Sequence, residues 1–420
     1  MTGQEREYVL VTEYFHPDTA STGQLMTELA VGLEDRGLDM TVYTGQPNYH
    51  SGENERQPLE TTHEGVLVKR IRAPQLRQSS LPRRLFNWTV FTLWMAVALL
   101  FSRSTKDREI VFVSNPPFLP IVLWPVCKLR GWEYTYIVHD LYPAQPVELG
   151  YLRENGVIAR IWRFLHQFVF RDATTVVALG PAMRDRITQV AGAGFDADTI
   201  EIIHNWADGE FIQPKEKESN WFSQEHNLVE PFTLLYSGNI AEFHDLETVV
   251  KAVARLSADG VDVRFCIIGE GDNKERLVSL AEDLDVAGED VIFLPYQPKS
   301  DLPYSLTSGD VSVVAVEEGF KGVCVSSKLY TSLAAGMPIL CIAKPDDDEG
   351  QIVDSGGAGE VVRQRDVEGV VSALQSWIEQ PELLEKQGTN ARETFESAFT
   401  KAQSIEAYYQ TLRREEPTAK

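Results

Sequence analysis

The sequence predicts an α/β fold of two domains, each built on a doubly wound parallel sheet. Short apolar runs alternate with helical patterns along the 420 residues, and several runs are apolar throughout, as in strands that helices cover on both faces. A polar stretch with proline near both ends, 213–230, separates two halves that share this alternation and is predicted to be a linker. Ligands of such sheets bind outside the carboxyl ends of the strands, so functional residues are expected there.

The first half is predicted to form a domain over residues 1–212. Its first strand, Tyr8–Phe15, leads through a loop of small residues into a helix at Gln24–Gly37, where apolar residues recur at helical spacing and a glycine ends the pattern. Further strands are predicted at Met40–Gly45, Gly65–Ile71, Glu109–Val113, Tyr134–Val138, Thr175–Ala178 and Ile200–Ile203.

The second half, predicted as a domain over 231–398, restarts the same alternation. Its predicted strands are Phe232–Gly238, Val263–Gly271, Val291–Pro295, Val311–Val316 and Pro338–Ala343. Helices are predicted between them at Leu246–Leu256, Glu275–Leu284 and Tyr330–Ala335. The last helical pattern, Lys401–Arg414, lies in a terminal segment, 399–420, and could pack across either domain.

Composition narrows the class of protein. The formal net charge of -23 and the pI near 4.8 argue against nonspecific binding to nucleic acid. The acid excess is also typical of proteins from a very salty cytoplasm, although an ordinary acidic protein remains an alternative. The cysteines have no metal-ligand spacing and are predicted to be reduced core thiols. The first apolar run is too short for a signal peptide or a membrane span, so we expect a cytoplasmic chain.

Glycine follows an apolar strand in three places of the second half. These are SGN (Ser237, Gly238 and Asn239), GEGD (beginning at Gly269) and GVCVSSK (Gly322 to Lys328). Glycine lets a backbone approach a ligand, and a helix that starts there directs free N–H groups at an anion, which predicts seats for phosphate. Since most single turns of this kind bind nothing, the prediction rests on finding three of them. Lys328 and, less strongly, Lys321 would add positive charge.

Two polar segments of the first half follow predicted strands. His139 and Asp140 end one strand, and HPDTASTGQ, which holds Thr22 and Gly23, follows the first. A histidine there could bond a sugar hydroxyl or a polarised oxygen, although lone histidines are more often structural. The acid run AKPDDDEGQ, 343–351, is predicted to be a solvated loop in preference to a metal site.

One segment departs from the acidic average. Between Lys69 and Lys106 there are basic residues and no acid, and its centre, Leu81–Phe101, is apolar with arginines at its flank. This predicts a helix that lies in a membrane interface, with Arg83, Arg84, Trp88 and Trp94 as contacts. The basic and aromatic stretch 157–171 is a second candidate. In the alternative interpretation both are buried helices with arginines at the rim.

Several motifs together resemble the family 4 retaining glycosyltransferases, which have the GT-B fold of two Rossmann-like domains facing a cleft. They cover nearly the whole chain: PDTASTGQLMTELAVGLEDRG, VHDLYPAQPVELG, VVALGPAM, EIIHNWADGEFIQP, LLYSGNIAEFHDLETVVKA, FCIIGEGDNKERL and SSKLYTSLAAGMPIL. The sequence around HDLYPAQPVELG and SKLYTSLAAG is most similar to that of the WbuB-like branch of fucosaminyltransferases, which build surface polysaccharides on lipid carriers.

The resemblance implies a metal-independent transferase of the hexosyl type, with no cofactor, whose nucleotide-diphosphate sugar binds the second domain. It implies a lipid-linked or glycan acceptor on the first domain, peripheral attachment to the inner face of the cell membrane, and a terminal helix that crosses back to the first domain. His139, Lys328 and Lys321 are then the expected catalytic residues, and Thr22, Gly23 and Asp140 lie on the acceptor side. The expected donor contacts are Ser237, Gly238, Asn239, Gly269, Tyr296, Gly322, Ser327, Tyr330, Thr331 and Glu318.

Two departures from the family pattern bear on activity. Thr331 stands where the second glutamate of the Glu-x7-Glu motif is usual, and Glu317 and Glu318 lie too far upstream for its first glutamate unless the loop bulges. The segment after SGN also lacks the usual Arg and Lys, whose part Lys321 and Lys328 could take. The departures keep open a non-catalytic relative that acts as a scaffold or regulatory partner. A sugar-nucleotide epimerase of the same fold would have no use for the basic apolar segment.

Overall fold

The computed structural model describes residues 6–18, 20–47, 56–72 and 81–414. They form two compact units. The first contains residues up to His204 together with Gly322–Cys324 and the chain from Ser404, and the second contains Asn205–Lys321 and Val325–Gln403. The segment 213–230, predicted as a linker, therefore belongs to the second unit.

The first unit is built on an eight-stranded sheet in the order β3-β4-β2-β1-β5-β6-β7-β8, parallel except for β3. Its strands are β1 (Arg6–Val11), β2 (Asp39–Thr44), β3 (Glu60–His63), β4 (Val66–Arg70), β5 (Asp107–Val113), β6 (Glu133–Val138), β7 (Thr175–Ala178) and β8 (Ile200–Ile202). Its helices are α1 (Ser21–Glu34), α2 (Leu81–Leu100), α3 (Leu119–Arg130), α4 (Ala144–Glu148), α5 (Val157–Asp172) and α6 (Pro181–Ala191). The doubly wound prediction is confirmed, and strands such as β7, predicted from a fully apolar run, are buried along their whole length.

Sequence reasoning did not predict β3. Its residues, ETTH, alternate between exposed and half-buried positions, and the strand pairs antiparallel with β4 at the edge of the sheet. An edge strand has a neighbour on one side only and does not need the continuous apolar character that identified the inner strands.

The second unit is built on a six-stranded, wholly parallel sheet in the order β11-β10-β9-β12-β13-β14. Its strands are β9 (Phe232–Ser237), β10 (Val263–Ile268), β11 (Val291–Leu294), β12 (Val311–Ala315), β13 (Ile339–Ile342) and β14 (Gly359–Val362). Its helices are α7 (Trp221–Glu225), α8 (Glu247–Ala258), α9 (Lys274–Asp283), α10 (Leu302–Ser305), α11 (Ser327–Ala334), α12 (Asp348–Gly356), α13 (Val367–Glu379) and α14 (Pro381–Ala398). One apolar core, from Leu234 on β9 to Trp377 on α13, fills the unit on one side of this sheet.

The last helix, α15 (Lys401–Arg413), joins the first unit from Ser404 onward, as predicted. Ile405 packs so closely on α1 that a Cβ added at Gly32 would lie 2.6 Å from its Cδ1 atom. The hydroxyl of Tyr8 donates a hydrogen bond to the Leu412 carbonyl at 3.0 Å. The terminal helix is therefore part of the first unit's packing.

Within the described ranges, no helix is both long enough and apolar enough to cross a bilayer. The helix predicted to lie in a membrane interface, α2, is buried along one face, through Phe91, Met95 and Leu99. Its opposite face exposes large apolar side chains, including Leu93 and Trp94, while Trp88 is half-buried.

The contact between Gly32 and Ile405 can be tested by a mutant cycle. Ile405→Ala should lower the free energy of unfolding by about 2–5 kcal/mol because it leaves a cavity, and Gly32→Val should lower it by about 1–3 kcal/mol through overpacking. The double variant should lose less than the sum, because each change relieves the other. Urea unfolding of the full chain measures all three.

The matched control is Gln410→Ala, a change at an exposed position of the same helix, which should stay within about 0.5 kcal/mol of the wild type. Strict additivity of the two core changes would contradict the packing of α15 on α1.

Candidate functional site

Two of the predicted glycine turns abut at the carboxyl edge of the second unit's sheet. Ser237 and Ile268, the last residues of β9 and β10, are partners in register, so Gly238 and Gly269 follow side by side. Both glycines have positive φ, +134° and +145°, and a Cβ at Gly269 would lie 2.0 Å from the Gly238 carbonyl oxygen. Only glycine fits this close approach. Their N–H groups donate to Ile268 and Leu294 carbonyls, so the turns supply space and not free donors.

Lys328 on α11 extends over the first of these turns. Its Cε atom would lie 2.8 Å from a Cβ at Gly238, and its Nζ atom lies 5.0 Å from the centroid of the Tyr236 ring. Because Lys328 lies close to the start of α11, the helix field there favours anions, which makes this ammonium group a suitable partner for a bound diphosphate. The structure thus brings Lys328, Gly238 and Gly269 together as the sequence predicted.

Sequence reasoning missed His244, which supports the same turn from inside. Its Nδ1 atom accepts a hydrogen bond from the Ala241 N–H at 3.2 Å and lies 2.7 Å from the Tyr236 hydroxyl. Burial, and then the charge of Lys328, lower the pKa of His244 well below its usual value, so the imidazole is neutral. The only sequence signal was a histidine directly before Asp245, whose carboxylate accepts the Thr248 N–H at the start of α8.

The acid run 343–351 is not a solvated loop, and that prediction is wrong. Asp347, Asp348 and Glu349 are buried, and α12 begins within the run. Glu349 accepts a hydrogen bond from the Ser326 N–H at 2.8 Å, so its carboxyl group lies at the start of α11. Burial raises the pKa of Glu349 to about 7, while that hydrogen bond opposes the shift. The helix start predicted to bind a phosphate thus already holds an acidic group.

The other residues that were predicted to contact the sugar donor are not gathered at these turns. Tyr330 is fully buried and packs against Phe399, so its side chain belongs to the core. Thr331 donates its hydroxyl to the Lys328 carbonyl at 3.0 Å. The side chains of Ser327 and Asn239 lie near the surface, and the Tyr296 hydroxyl is 3.4 Å from the Glu270 carbonyl oxygen.

Charged residues of the loop after β12 are held in ion pairs. Lys321 pairs with Asp346, and Glu318 pairs with Lys344 at 2.8 Å. Glu317 pairs with the Arg365 guanidinium at 3.2 Å. In the region where the family motif has its first glutamate, the carboxylates of Glu317 and Glu318 are therefore both held in ion pairs.

Gly322 belongs to the first unit and does not lie at the carboxyl edge of the second unit's sheet. Its φ is +65°, and a Cβ there would lie 2.4 Å from the Ala182 carbonyl oxygen. The following residues pair with the His139 segment: Leu141 N–H donates to the Val323 carbonyl at 2.7 Å, and Asp140 forms a bridge with Cys324. The glycine therefore serves close packing.

His139 and Asp140 are positioned by one hydroxyl group. Ser114, after β5, accepts hydrogen bonds from the N–H groups of His139 at 3.0 Å and Asp140 at 2.9 Å. The His139 Nε2 atom is buried and has no hydrogen-bond partner among the described residues. Burial lowers the pKa of His139 to about 4 and raises that of Asp140 to about 6. His139 is therefore a neutral imidazole with one nitrogen available to a ligand.

Glu13 is a second residue that sequence reasoning missed. It follows β1 and is buried, and burial, assisted by the nearby Asp18, raises its pKa to about 8. Thr22 and Gly23 lie in the first turn of α1, where a Cβ at Gly23 would be 3.0 Å from the Cβ atom of Tyr14. At neutral pH the Glu13 carboxyl group is therefore largely protonated and can donate a hydrogen bond.

A metal site was not predicted, and the ranges with described placement contain no group of three His, Cys, Asp or Glu side chains that could hold an ion.

Known proteins that resemble this chain are glycosyltransferases or are described as such. The model "Glycosyl transferase 4-like domain" matches residues 22–206, and "Glycosyl transferases group 1" matches 217–394. "Probable glycosyltransferase WbjE" of Pseudomonas aeruginosa is 24% identical over 64% of this chain and 66% of its own. "Putative colanic acid biosynthesis glycosyl transferase WcaI" of Escherichia coli is 24% identical over 95% and 98%. The solved structure of Anabaena Alr3699/HepE in complex with UDP-glucose superposes with a TM-score of 0.71 at 13% identity, covering 97% and 99%.

Two parallel-sheet units, a glycine-lined sheet edge under a lysine, and these matches define a glycosyltransferase of the GT-B fold. Within that class, the chain belongs to family 4.

The protonated state of Glu13 predicts a pH-dependent stability difference. Its folded pKa of about 8 exceeds the ordinary 4.5, so its contribution is complete below pH 4.5 and is lost as pH rises through 8. Glu13→Gln, which stays neutral, should therefore gain stability relative to wild type as pH rises, by up to about 1.4 kcal/mol per pH unit. Urea unfolding between pH 5 and 9 measures this difference.

Glu154→Gln, at an exposed carboxyl group of the same unit, serves as the control and should run parallel to wild type. A constant difference for Glu13→Gln across the range would show that Glu13 is already ionised in the folded protein.

Proposed function

We propose that this protein is a retaining glycosyltransferase that moves a sugar from a nucleotide-diphosphate sugar to a lipid-linked acceptor, in the synthesis of a surface polysaccharide or glycoprotein glycan. The observation that carries the proposal is Lys328, whose ammonium group lies over the Gly238 turn at the edge of the second unit's sheet. The similarity to WcaI, a putative colanic acid biosynthesis glycosyl transferase, supports a role in polysaccharide synthesis. The complex of HepE with UDP-glucose supports a nucleotide-sugar donor.

In this proposal Lys328 stabilises the departing diphosphate without a metal ion. The bond between the sugar's anomeric carbon and the phosphate oxygen breaks, a bond to the acceptor oxygen forms, and the acceptor's proton passes to the departing phosphate. Negative charge grows on the diphosphate as the bond breaks, so a fixed positive charge there stabilises the transition state more than the ground state. The close turns at Gly238 and Gly269 allow the diphosphate to approach the backbone.

His139 is proposed to bind the transferred sugar. A neutral imidazole held by its backbone bond to Ser114, with Nε2 unpartnered among the described residues, can accept or donate one hydrogen bond to a sugar hydroxyl. The Glu13 carboxyl group, also neutral, is proposed to hold the acceptor, together with Asp140, Thr22 and Gly23. Burial makes each of these hydrogen bonds stronger than it would be in water.

Donor binding is tested by thermal unfolding in high salt with EDTA, against uridine, guanosine and adenosine diphosphates and their sugar conjugates. One base should stabilise the wild type by a few kcal/mol when present far above its Kd. Lys328→Ala should weaken that ligand at least tenfold, because an ionic partner of the diphosphate is lost, whereas Lys299→Ala, at an exposed lysine of the same unit, should not.

Stabilisation by none of these nucleotides would favour the alternative, a non-catalytic scaffold. Equal affinity of wild type and Lys328→Ala would remove Lys328 from the diphosphate site. His139→Ala completes the experiment: the nucleotide-induced shift should persist, while turnover of the donor identified above should fall about 10²-fold or more. An unchanged rate would remove His139 from the mechanism.

Peripheral attachment to the membrane is proposed to involve α2. Arg83 and Arg84 lie at its start, next to the exposed apolar face. Replacing both by Glu should reduce co-sedimentation with anionic phospholipid vesicles at least tenfold, since each basic residue near such a surface contributes about 1 kcal/mol. Replacing Arg255 and Arg276, exposed in the second unit, by Glu makes the same charge change and should have a small effect. Equal losses in both double variants would indicate a net-charge effect and contradict a specific role for α2.

A further inference from the structure

Three helices of the first unit, α2, α3 and α5, present a large apolar surface to solvent. The side chains of Val97 and Phe101, on and just after α2, are 57% and 75% exposed, and Leu129 on α3 is 76% exposed. On α5, Ile161 and Phe164 are 55% and 57% exposed. Soluble proteins rarely leave so many large apolar side chains together on neighbouring helices, and such surfaces usually bind something.

A groove of about 430 Å³ lies between these helices. Leu93 from α2, Val122 from α3, and Ile158, Trp162 and Leu165 from α5 contribute to its lining. The α5 positions recur at intervals of four and three residues, the spacing of one helix face. That volume falls in the range of small-molecule sites, and a lining of this composition suits a hydrocarbon and not a sugar.

The polar atoms of two lining residues are buried beneath the groove surface. Thr92, which is only 1% exposed, has no hydrogen-bond partner for its Oγ1 atom among the described residues, and the same holds for Nε1 of Trp162. Both residues line the groove. The surface that the groove presents to a ligand is therefore apolar, which suits a hydrocarbon chain.

The inner wall of the groove is shared with the His139 segment. The Trp162 ring stacks on Tyr142 with centroids 5.8 Å apart and contacts Phe118 at 5.1 Å. Tyr142 follows Asp140 by two residues, and Leu141 between them is tied to Val323. A chain bound against Trp162 would therefore bring its polar end close to the segment proposed to hold the acceptor.

The charge on the same helices favours a phosphate group. In a chain with a net charge of -23, α2, α3 and α5 carry a single acid, Asp172, against the following bases: Arg83, Arg84, Lys128, Arg130, Arg160, Arg163 and Arg171. Such a reversal of sign around an apolar surface complements an anionic amphiphile.

We infer that this groove binds the hydrocarbon chain of a phosphate-bearing membrane lipid, the carrier of the lipid-linked acceptor. The inference rests on the proposed transferase function and specifies where its acceptor's lipid is held. The chain lies against Ile158, Trp162 and Leu165. The phosphate remains among the arginines.

The test uses 12-bromododecyl phosphate below its critical micelle concentration, with full-length protein and no vesicles. Bromine quenches tryptophan on contact, so saturable one-to-one quenching is expected. Trp162→Phe should remove most of the quenched signal, which locates the chain. Ethyl phosphate, which has the headgroup but no chain, should not displace the probe.

Two adjacent substitutions provide matched variants. Val157 and Ile158 are 65% and 63% exposed on the same helix, but only Ile158 lines the groove. Ile158→Glu should raise the Kd of the probe at least tenfold, because its carboxylate enters the chain site, while Val157→Glu should change it less than twofold. Both variants have the same charge and equally exposed sites, so folding should not separate them.

The inference is overturned if wild type shows no saturable quenching, or if both variants weaken the probe equally. It is also overturned if the probe does not bind and Ile158→Glu changes the oligomeric state, since the face would then be a protein interface. Nucleotide stabilisation is measured on the same samples. Nucleotide binding without probe binding would remove only the groove, whereas loss of both in wild type would count against the transferase itself.

Discussion

The parallel pairing of β9 with β10 is the constraint on which the second unit's site depends. In-register partners that run in the same direction end together, so the chain must turn twice at one place, after Ser237 and after Ile268. Two turns so close leave no room for a side chain, and glycine at positive φ is required in both. The space left open above them is where Lys328 extends. Tyr236 and His244 then fix the first turn from below, through a neutral ring that burial prevents from charging.

Much of this arrangement could be predicted from the sequence, because buried parallel strands are apolar throughout and are followed by glycine where the backbone is crowded. The order of strands and helices, the glycine turns at 238 and 269, and the lysine of α11 all carried local signals. Residues whose role depends on a partner far away in the sequence carried no such local signal. Glu349 belongs to an acid run that resembles a solvated loop, yet its carboxyl group accepts from Ser326. Tyr330 and Gly322 matched the motif, but the structure uses one in the core and the other against Ala182.

The buried carboxyl groups show why an acidic composition is a poor guide to local charge. Glu13 and Glu349, in different units, both have a pKa raised by burial, to about 8 and about 7. Each lies beside a position where a ligand is proposed to bind. Glu349, whose pKa lies near neutral pH, changes its protonation state at little cost when a charge arrives nearby, since one pKa unit corresponds to about 1.4 kcal/mol. In the proposed donor complex, Glu349 at the start of α11 can therefore become neutral, which removes the repulsion between a fixed carboxylate and the diphosphate.

Under the proposed function, the distribution of charge and apolar surface suits the two units to different environments. The second unit's helix α14 (Pro381–Ala398), for example, presents an acid-rich face to water, whereas α2, α3 and α5 of the first unit combine bases with exposed apolar side chains. A chain of net charge -23 would be repelled from an anionic bilayer as a whole, so the proposed membrane contact requires basic residues that are concentrated on one surface. The position of these basic residues in the same unit as the His139 segment has a further consequence for the proposal. An acceptor that carries its own lipid would enter along the membrane face, while a nucleotide sugar, which is free in water, would reach the second unit by diffusion. In this proposal the two substrates differ in solvent as well as in chemistry, and each unit suits one of them.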